Sequence, residues 1–129
     1  MAARERPVAV AIVPHTHWDR EWYEPFQSFR LRLVRLMDTL LPMLEQDLSY
    51  ARFMLDGQTA VLDDYLEVRP EAAPRLRRLA AQGRVSIGPW AILMDEYMVS
   101  GETIVRDLQR GMSRASELGG PMEQTRISR

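Results

Sequence analysis

Six consecutive apolar residues, Val8, Ala9, Val10, Ala11, Ile12 and Val13, closed by Pro14, constrain the fold more than any other stretch. The run is rich in β-branched side chains and too short for an ordinary helix, so it predicts a buried parallel strand. Residues that follow such a strand stand at its carboxyl end, where open α/β sheets and barrels bind their ligands.

The rest of the chain alternates helix and strand signals. Phe29, Leu33, Leu36, Met37, Leu40 and Leu44 recur at three and four residues and predict a core-facing helix. Pro42 lies inside it, which predicts a kink near Asp38 or an early end. Residues 50–55 read as a second strand, stopped by Asp56 and Gly57. A helix over 58–68 then buries Val61, Leu62, Tyr65 and Leu66, and Pro70 ends it. Another over 71–82 tolerates Pro74 in its first turn and uses Gly83 as its cap. Residues 85–87 form a short third strand, and residues 90–99 fold over the open end of the sheet. Ser100 caps a last helix whose apolar stripe is Ile104, Val105, Leu108, Met112, Ala115 and Leu118. Three strand–helix units of this kind predict an α/β fold with a parallel sheet and right-handed crossovers. Closing it into a (β/α) barrel takes roughly 200 to 250 residues. The 129 residues present make a partial, truncated barrel.

Composition removes several classes of function. No cysteine is present, so disulfides, thiolate metal sites and a cysteine nucleophile are excluded. All 17 basic residues are arginine, which excludes a Schiff-base lysine and a phosphate-loop lysine within the chain. A net charge of -1 with mixed signs gives no footprint for nucleic acid. Arg75, Arg77 and Arg78 read as a solvated helix face. The apolar runs suit neither a membrane helix nor a secretory leader, and the expected location is the cytoplasm.

Residues 14–23, PHTHWDREWY, hold both histidines. At a strand end the side-chain period is two, which puts His15, His17 and Asp19 on one face and Thr16 and Trp18 on the other. An imidazole and a carboxylate at this spacing make half of a tetrahedral zinc site. Trp22 and Tyr23 add flat faces suited to a sugar pocket. Taken alone, a His-x-His equally fits two half-buried histidines satisfied by backbone. It also suits an amidohydrolase-type hydrolase in which His15 and His17 both bind metal and activate water. Asp56 reads as an Asx turn or helix cap, or as a carboxylate that orients a metal ligand or accepts from a substrate hydroxyl. Trp90, Asp95 and Glu96 either line a pocket or belong to a loop that packs on itself.

The string HTHWDREWY resembles the α-mannosidases of glycoside hydrolase family 38, including their mannosylglycerate hydrolase branch. So do MLDGQTAVLDDY at 54–65, GRVSIGPW at 83–90, and Ser100-Gly101-Glu102 with the helix after it. The resemblance spans residues 8–121 in unbroken order. It implies the amino-terminal part of the catalytic barrel of a longer zinc-dependent retaining glycosidase acting on α-mannosides. His17 and Asp19 are then the zinc ligands, Trp22 lines the sugar subsite, and His15 and Asp56 stand behind the ligands. Trp90 and Asp95 are expected to face substrate. The nucleophile and acid/base of the family match nothing here, so the chain alone is expected to be inactive, a partial domain. Residues 1–7 read as a tail. Residues 122–129 depart from the family pattern where a further strand is due, which suggests a truncated or frame-shifted reading frame. Oligomeric state is not legible.

Overall fold

A computed structural model describes residues 8–120. The tails at 1–7 and 122–129 lie outside the described residues. The elements are α1 (Phe26–Gln46), β1 (Phe53–Met54), α2 (Ala60–Val68), a 3-10 turn (Pro70–Ala72), α3 (Ala73–Ala81), β2 (Val85–Ser86) and α4 (Gly101–Glu117). The two strands are parallel, with Phe53 opposite Val85 and Met54 opposite Ser86. Isolated parallel bridges extend the pairing, from His15 to Met54 and from Gln58 to Trp90. The fold is α/β, and helices supply the connections that parallel strands require.

The predicted first strand is a correction. Residues 8–13 carry no strand, and Val8, Val10 and Ile12 are 87%, 81% and 90% exposed. The chain meets β1 only from Pro14 onward: the Met54 amide donates to the Pro14 carbonyl (3.0 Å) and the Thr16 amide to the Met54 carbonyl (3.3 Å). A strand persists where a neighbour takes its backbone groups, and this register would set Val13 against Arg52 and Ile12 against Ala51. Both partners are exposed and outside any strand. Two strands are therefore formed among the described residues, each followed by helix.

The helices follow their sequence signals more closely. α1 buries Phe29, Leu33, Met37, Leu40 and Leu44 as the period requires, together with Val34 and Leu41. It runs through Pro42 to Gln46 rather than ending early. Burial of Leu40, Leu41 and Leu44 around the proline offsets the lost hydrogen bond. Against α1 pack Val61, Leu62 and Tyr65 of α2, Leu76 and Leu79 of α3, and Phe53, Leu55, Val85 and Ile87 of the sheet layer. Gly83 takes φ +68 and, through the Arg84 amide donating to the Leu79 carbonyl, closes α3 as predicted. Arg75 and Arg78 both reach Glu45 on α1, while Arg77 and Arg78 stay exposed on the helix face. No helix among the described residues is long and apolar enough to cross a membrane.

α4 departs from its sequence pattern. The Ser100 hydroxyl accepts from the Thr103 amide, a true N-cap. Within the helix only Gly111 and Ala115 are buried, while Val105 and Met112 are about half exposed. Of the predicted stripe, Ala115 and, just past the helix, Leu118 are buried in the core, Ile104 and Leu108 are half-buried, and Val105 and Met112 stay exposed.

One network, buried at Tyr65 and exposed at Asp38, ties α1 to α2. The Tyr65 hydroxyl donates to Asp38 (2.9 Å), whose other oxygen takes the Arg69 guanidinium (3.0 Å). Burial and the Asp38 carboxylate push the Tyr65 hydroxyl up to about 12. The Arg69 hydrogen bond holds the Asp38 carboxyl below its ordinary value. A raised tyrosine contributes stability fully below its unfolded pKa, about 10, and loses it as pH rises through about 12. Asp38 acts at the other end: its contribution is present above about pH 4 and is lost as the carboxyl protonates. Tyr65→Phe is expected to lower stability by about 1 kcal/mol in urea unfolding and to delete the phenolate absorbance step near pH 12. An unchanged step would assign it to another tyrosine.

Candidate metal and sugar site

From Pro14 to Arg20 burial alternates: Thr16, Trp18 and Arg20 are half-buried, and His15, His17 and Asp19 are exposed. The period of two predicted for a strand end is therefore kept, although only His15 is bridged. Each inward residue is anchored. Thr16 is held through its backbone to β1. The Trp18 amide donates to Asp56 Oδ2 (2.8 Å), and Gln58 Nε2 donates to the Trp18 carbonyl (2.8 Å). Arg20 forks onto Asp64 of α2 through Nε (2.6 Å) and Nη2 (2.7 Å). That fork raises the Arg20 pKa further above its ordinary value.

Anchoring one face presents the other. His17 turns Nε2 toward Asp19 Oδ1 at 3.7 Å and Nδ1 toward Asp56 Oδ1 at 3.6 Å. Two donors of one tetrahedral ion, each about 2.0 to 2.1 Å from it, lie about 3.4 Å apart, so His17 and Asp19 fit a shared cation with little movement. A carboxylate behind the second ring nitrogen is the usual means of fixing the tautomer of a ligating histidine. Asp56 has that position. It is 7% exposed and takes φ +34, and its carboxylate also accepts from Gln58 Nε2 (2.6 Å). It does not cap α2, whose N-cap residue is Thr59 without a side-chain bond. No group of three or more His, Cys, Asp or Glu side chains able to hold a metal occurs among the described residues. The described residues therefore offer His17 and Asp19 as a pair of donors without a third.

These side chains border an open cavity of about 410 Å³ lined by His17, Trp18, Asp19, Arg20, Glu21, Asp56 and Gln58 and by Ile92, Leu93 and Met94. The loop after Trp90 reaches the site through these apolar residues. Asp95 is exposed and accepts from the Tyr97 amide in a turn, and Glu96 is exposed. Trp90 is half-buried beside Gly57, bonded through its backbone to Gly57 and Thr59. Trp22 and Tyr23 are 75% and 72% exposed, with Tyr23 edge-on to Phe29 at 5.3 Å. His15 bonds the adjacent Thr16 carbonyl through Nδ1 (2.9 Å) and stays exposed. The structure thus brings together His17, Asp19 and Asp56, and leaves His15, Trp22, Trp90 and Asp95 outside that cavity.

Gln58, Arg20, Asp64 and Asp107 were not legible as site residues. Asp107 on α4 accepts from the Ala91 and Ile92 amides, both at 3.1 Å, and so fastens the loop that lines the cavity. Its only sequence signal is its place one turn before Gly111.

Fold and site define an α/β protein whose parallel sheet presents a histidine–carboxylate pair, backed by a buried carboxylate, at its carboxyl edge. The chain belongs to glycosyl hydrolases family 38: the model of that family's N-terminal domain matches residues 7–126, reaching into the segment expected to depart from it. A Halalkalibacterium halodurans protein named as a mannosylglycerate hydrolase is 44% identical over 113 residues, 88% of this chain and 13% of that protein. The crystal structure of an α-mannosidase from Enterococcus faecalis V583 superimposes with a TM-score of 0.81 at 42% identity, covering 85% of this chain and 12% of that one. A second family 38 protein from Enterococcus faecalis gives 0.77 at 38% identity, covering 86% of this chain and 13% of its own. The chain therefore spans about an eighth of the length of these relatives.

Proposed function

We propose that these residues are the metal-holding amino-terminal part of a zinc-dependent retaining α-mannosidase, the opening strand–helix units of its (β/α) barrel. The observation that carries this is His17 Nε2 facing Asp19 Oδ1 with Asp56 behind Nδ1, inside a segment that matches the family in order. The two nitrogen and oxygen donors would hold zinc, which supplies electrostatic stabilisation and orientation of adjacent sugar hydroxyls. The chain's own residues do the rest of the local work. Asp56 and Gln58 fix the ligand segment, Ile92, Leu93 and Met94 limit water at the cavity, and the exposed indole of Trp22 offers a stacking face for a sugar ring. Trp90 and Asp95 border the same end of the sheet and would face substrate beyond the cavity. Retaining hydrolysis also needs two carboxyl groups about 5 Å apart. That pair, and the remaining zinc ligands, would come from residues outside this sequence, leaving the 129 residues inactive alone.

The amidohydrolase-type reading, with His15 and His17 as joint ligands, is disfavoured by the outward place of His15. The test is a chimera in which this chain replaces the matching 113 residues of the Halalkalibacterium halodurans relative. Hydrolysis of α-mannosides by the chimera is expected to be chelator-sensitive, to fall at least 100-fold with His17→Ala or Asp19→Ala, and to survive His15→Ala. Loss of zinc with His15→Ala but not Asp19→Ala would overturn the ligand assignment. Chelator-sensitive turnover of a nitrophenyl α-mannoside by the 129 residues alone would show that they contain the nucleophile and acid.

A further inference from the structure

We propose that the Arg20–Asp64 pair is a positioning device for Asp19, setting how tightly the site holds its metal; this rests on the reading of His17 and Asp19 as metal donors.

The Asp19 carboxylate is 48% exposed and accepts no hydrogen bond among the described residues, so its direction comes from the backbone on either side. On the amino side that backbone is fixed at Trp18 by Asp56 and Gln58. On the carboxyl side the chain enters bends over residues 20–24, where one long backbone hydrogen bond, Trp22 amide to Glu24 carbonyl (3.4 Å), is formed. Arg20 is therefore the anchor next to Asp19 on the carboxyl side, the next ties being those of Arg32 to Tyr23 and Glu24. Its guanidinium is held in plane by the two-bond fork to Asp64 and lies over the Phe26 ring at 5.3 Å, so it is tied to α2 and to the start of α1 together.

Asp64 has no other described work. Its side chain is 7% exposed, and both its oxygens are taken by Arg20. A buried carboxylate is kept where its partner is fixed, and a guanidinium fork fixes both distance and plane. Lysine at position 20 would keep the charge and lose the plane. Arg20 and Ile92 line both the cavity of His17 and a neighbouring one of about 490 Å³ against α4.

The experiment is cobalt and zinc titration of the 129-residue chain, read by the visible absorbance of bound cobalt and by zinc competition, with urea unfolding recorded for each variant. Arg20→Lys and Asp64→Asn are each expected to weaken metal binding roughly 10- to 100-fold and to change the cobalt spectrum, at metal-free urea midpoints that leave the chain folded. His17→Ala separates the two readings. If His17→Ala binds metal as the parent does, the donor assignment itself falls. If His17→Ala loses metal while Arg20→Lys and Asp64→Asn bind like the parent, the donors stand and the positioning role falls. Losses that only track a smaller folded fraction, with an unchanged cobalt spectrum, would reduce the pair to a stabilising ion pair and overturn the proposal.

Discussion

Gly111→Ala is expected to destabilise the protein by about 2 to 3 kcal/mol or more, against the sign that helix propensity predicts. In an exposed helix interior the same change stabilises by about 1 kcal/mol. Here a Cβ would sit 2.2 Å from the Pro89 carbonyl oxygen, 2.2 Å from the Trp90 carbonyl carbon and 2.4 Å from the Ala91 amide nitrogen. All three are backbone atoms and cannot swing aside, so α4 must lift from the segment it crosses. Lifting it stretches the bonds from Asp107 to the Ala91 and Ile92 amides, and these fasten the loop that places Ile92, Leu93 and Met94 over His17. Urea unfolding measures the stability, and amide exchange at Ala91 and Ile92 reads the loop. Faster exchange there, beyond the general increase that lower stability brings to α1, is the expected pattern; a variant more stable than the parent would show that the contact yields.

What was legible in the sequence follows the range of the interactions. The α1 stripe, the Gly83 cap and the Ser100 cap depend on neighbours within one or two turns, and each is found where the pattern puts it. Residues 8–13 have strong strand propensity but need a partner along their whole length, and β1 meets them only at the Pro14 end. α4 shows a full apolar stripe in sequence but buries only its carboxyl end, Ala115 and Leu118, and its close approach at Gly111, where a side chain is absent, has no signal in that stripe. The site divides the same way. The alternation of His15, His17 and Asp19 against Thr16 and Trp18 is a property of seven residues and survives into the structure. Arg20 and Asp64 stand 44 residues apart, and Asp64 lies between Asp63 and Tyr65 on a helix whose sequence gives it no partner.

Asp56 carries the other large effect, and two substitutions split it. Its carboxylate satisfies the Trp18 amide and Gln58 Nε2 in a buried place, while its second oxygen faces His17. Asp56→Ala leaves the Trp18 amide and one of the two Gln58 Nε2 N–H groups without an acceptor, the other still reaching the Trp18 carbonyl, at about 1 to 3 kcal/mol each. It also puts an alanine at φ +34, a conformation that aspartate and asparagine tolerate better than most residues. A loss of about 3 kcal/mol or more is expected, with the motif segment released from the sheet. Asp56→Asn keeps the shape, the backbone conformation and one acceptor oxygen, so urea unfolding should show a far smaller loss. What it removes is the negative charge behind His17 Nδ1, and with that the preference for the tautomer that offers Nε2 to a metal. Metal affinity is therefore expected to fall 10- to 100-fold in a chain that remains folded. If Asp56→Ala is as stable as the parent, the anchor is not Asp56. If Asp56→Asn binds zinc as tightly as the parent, His17 is oriented by the backbone alone, and the anchors at Trp18 and Arg20 are sufficient to present it.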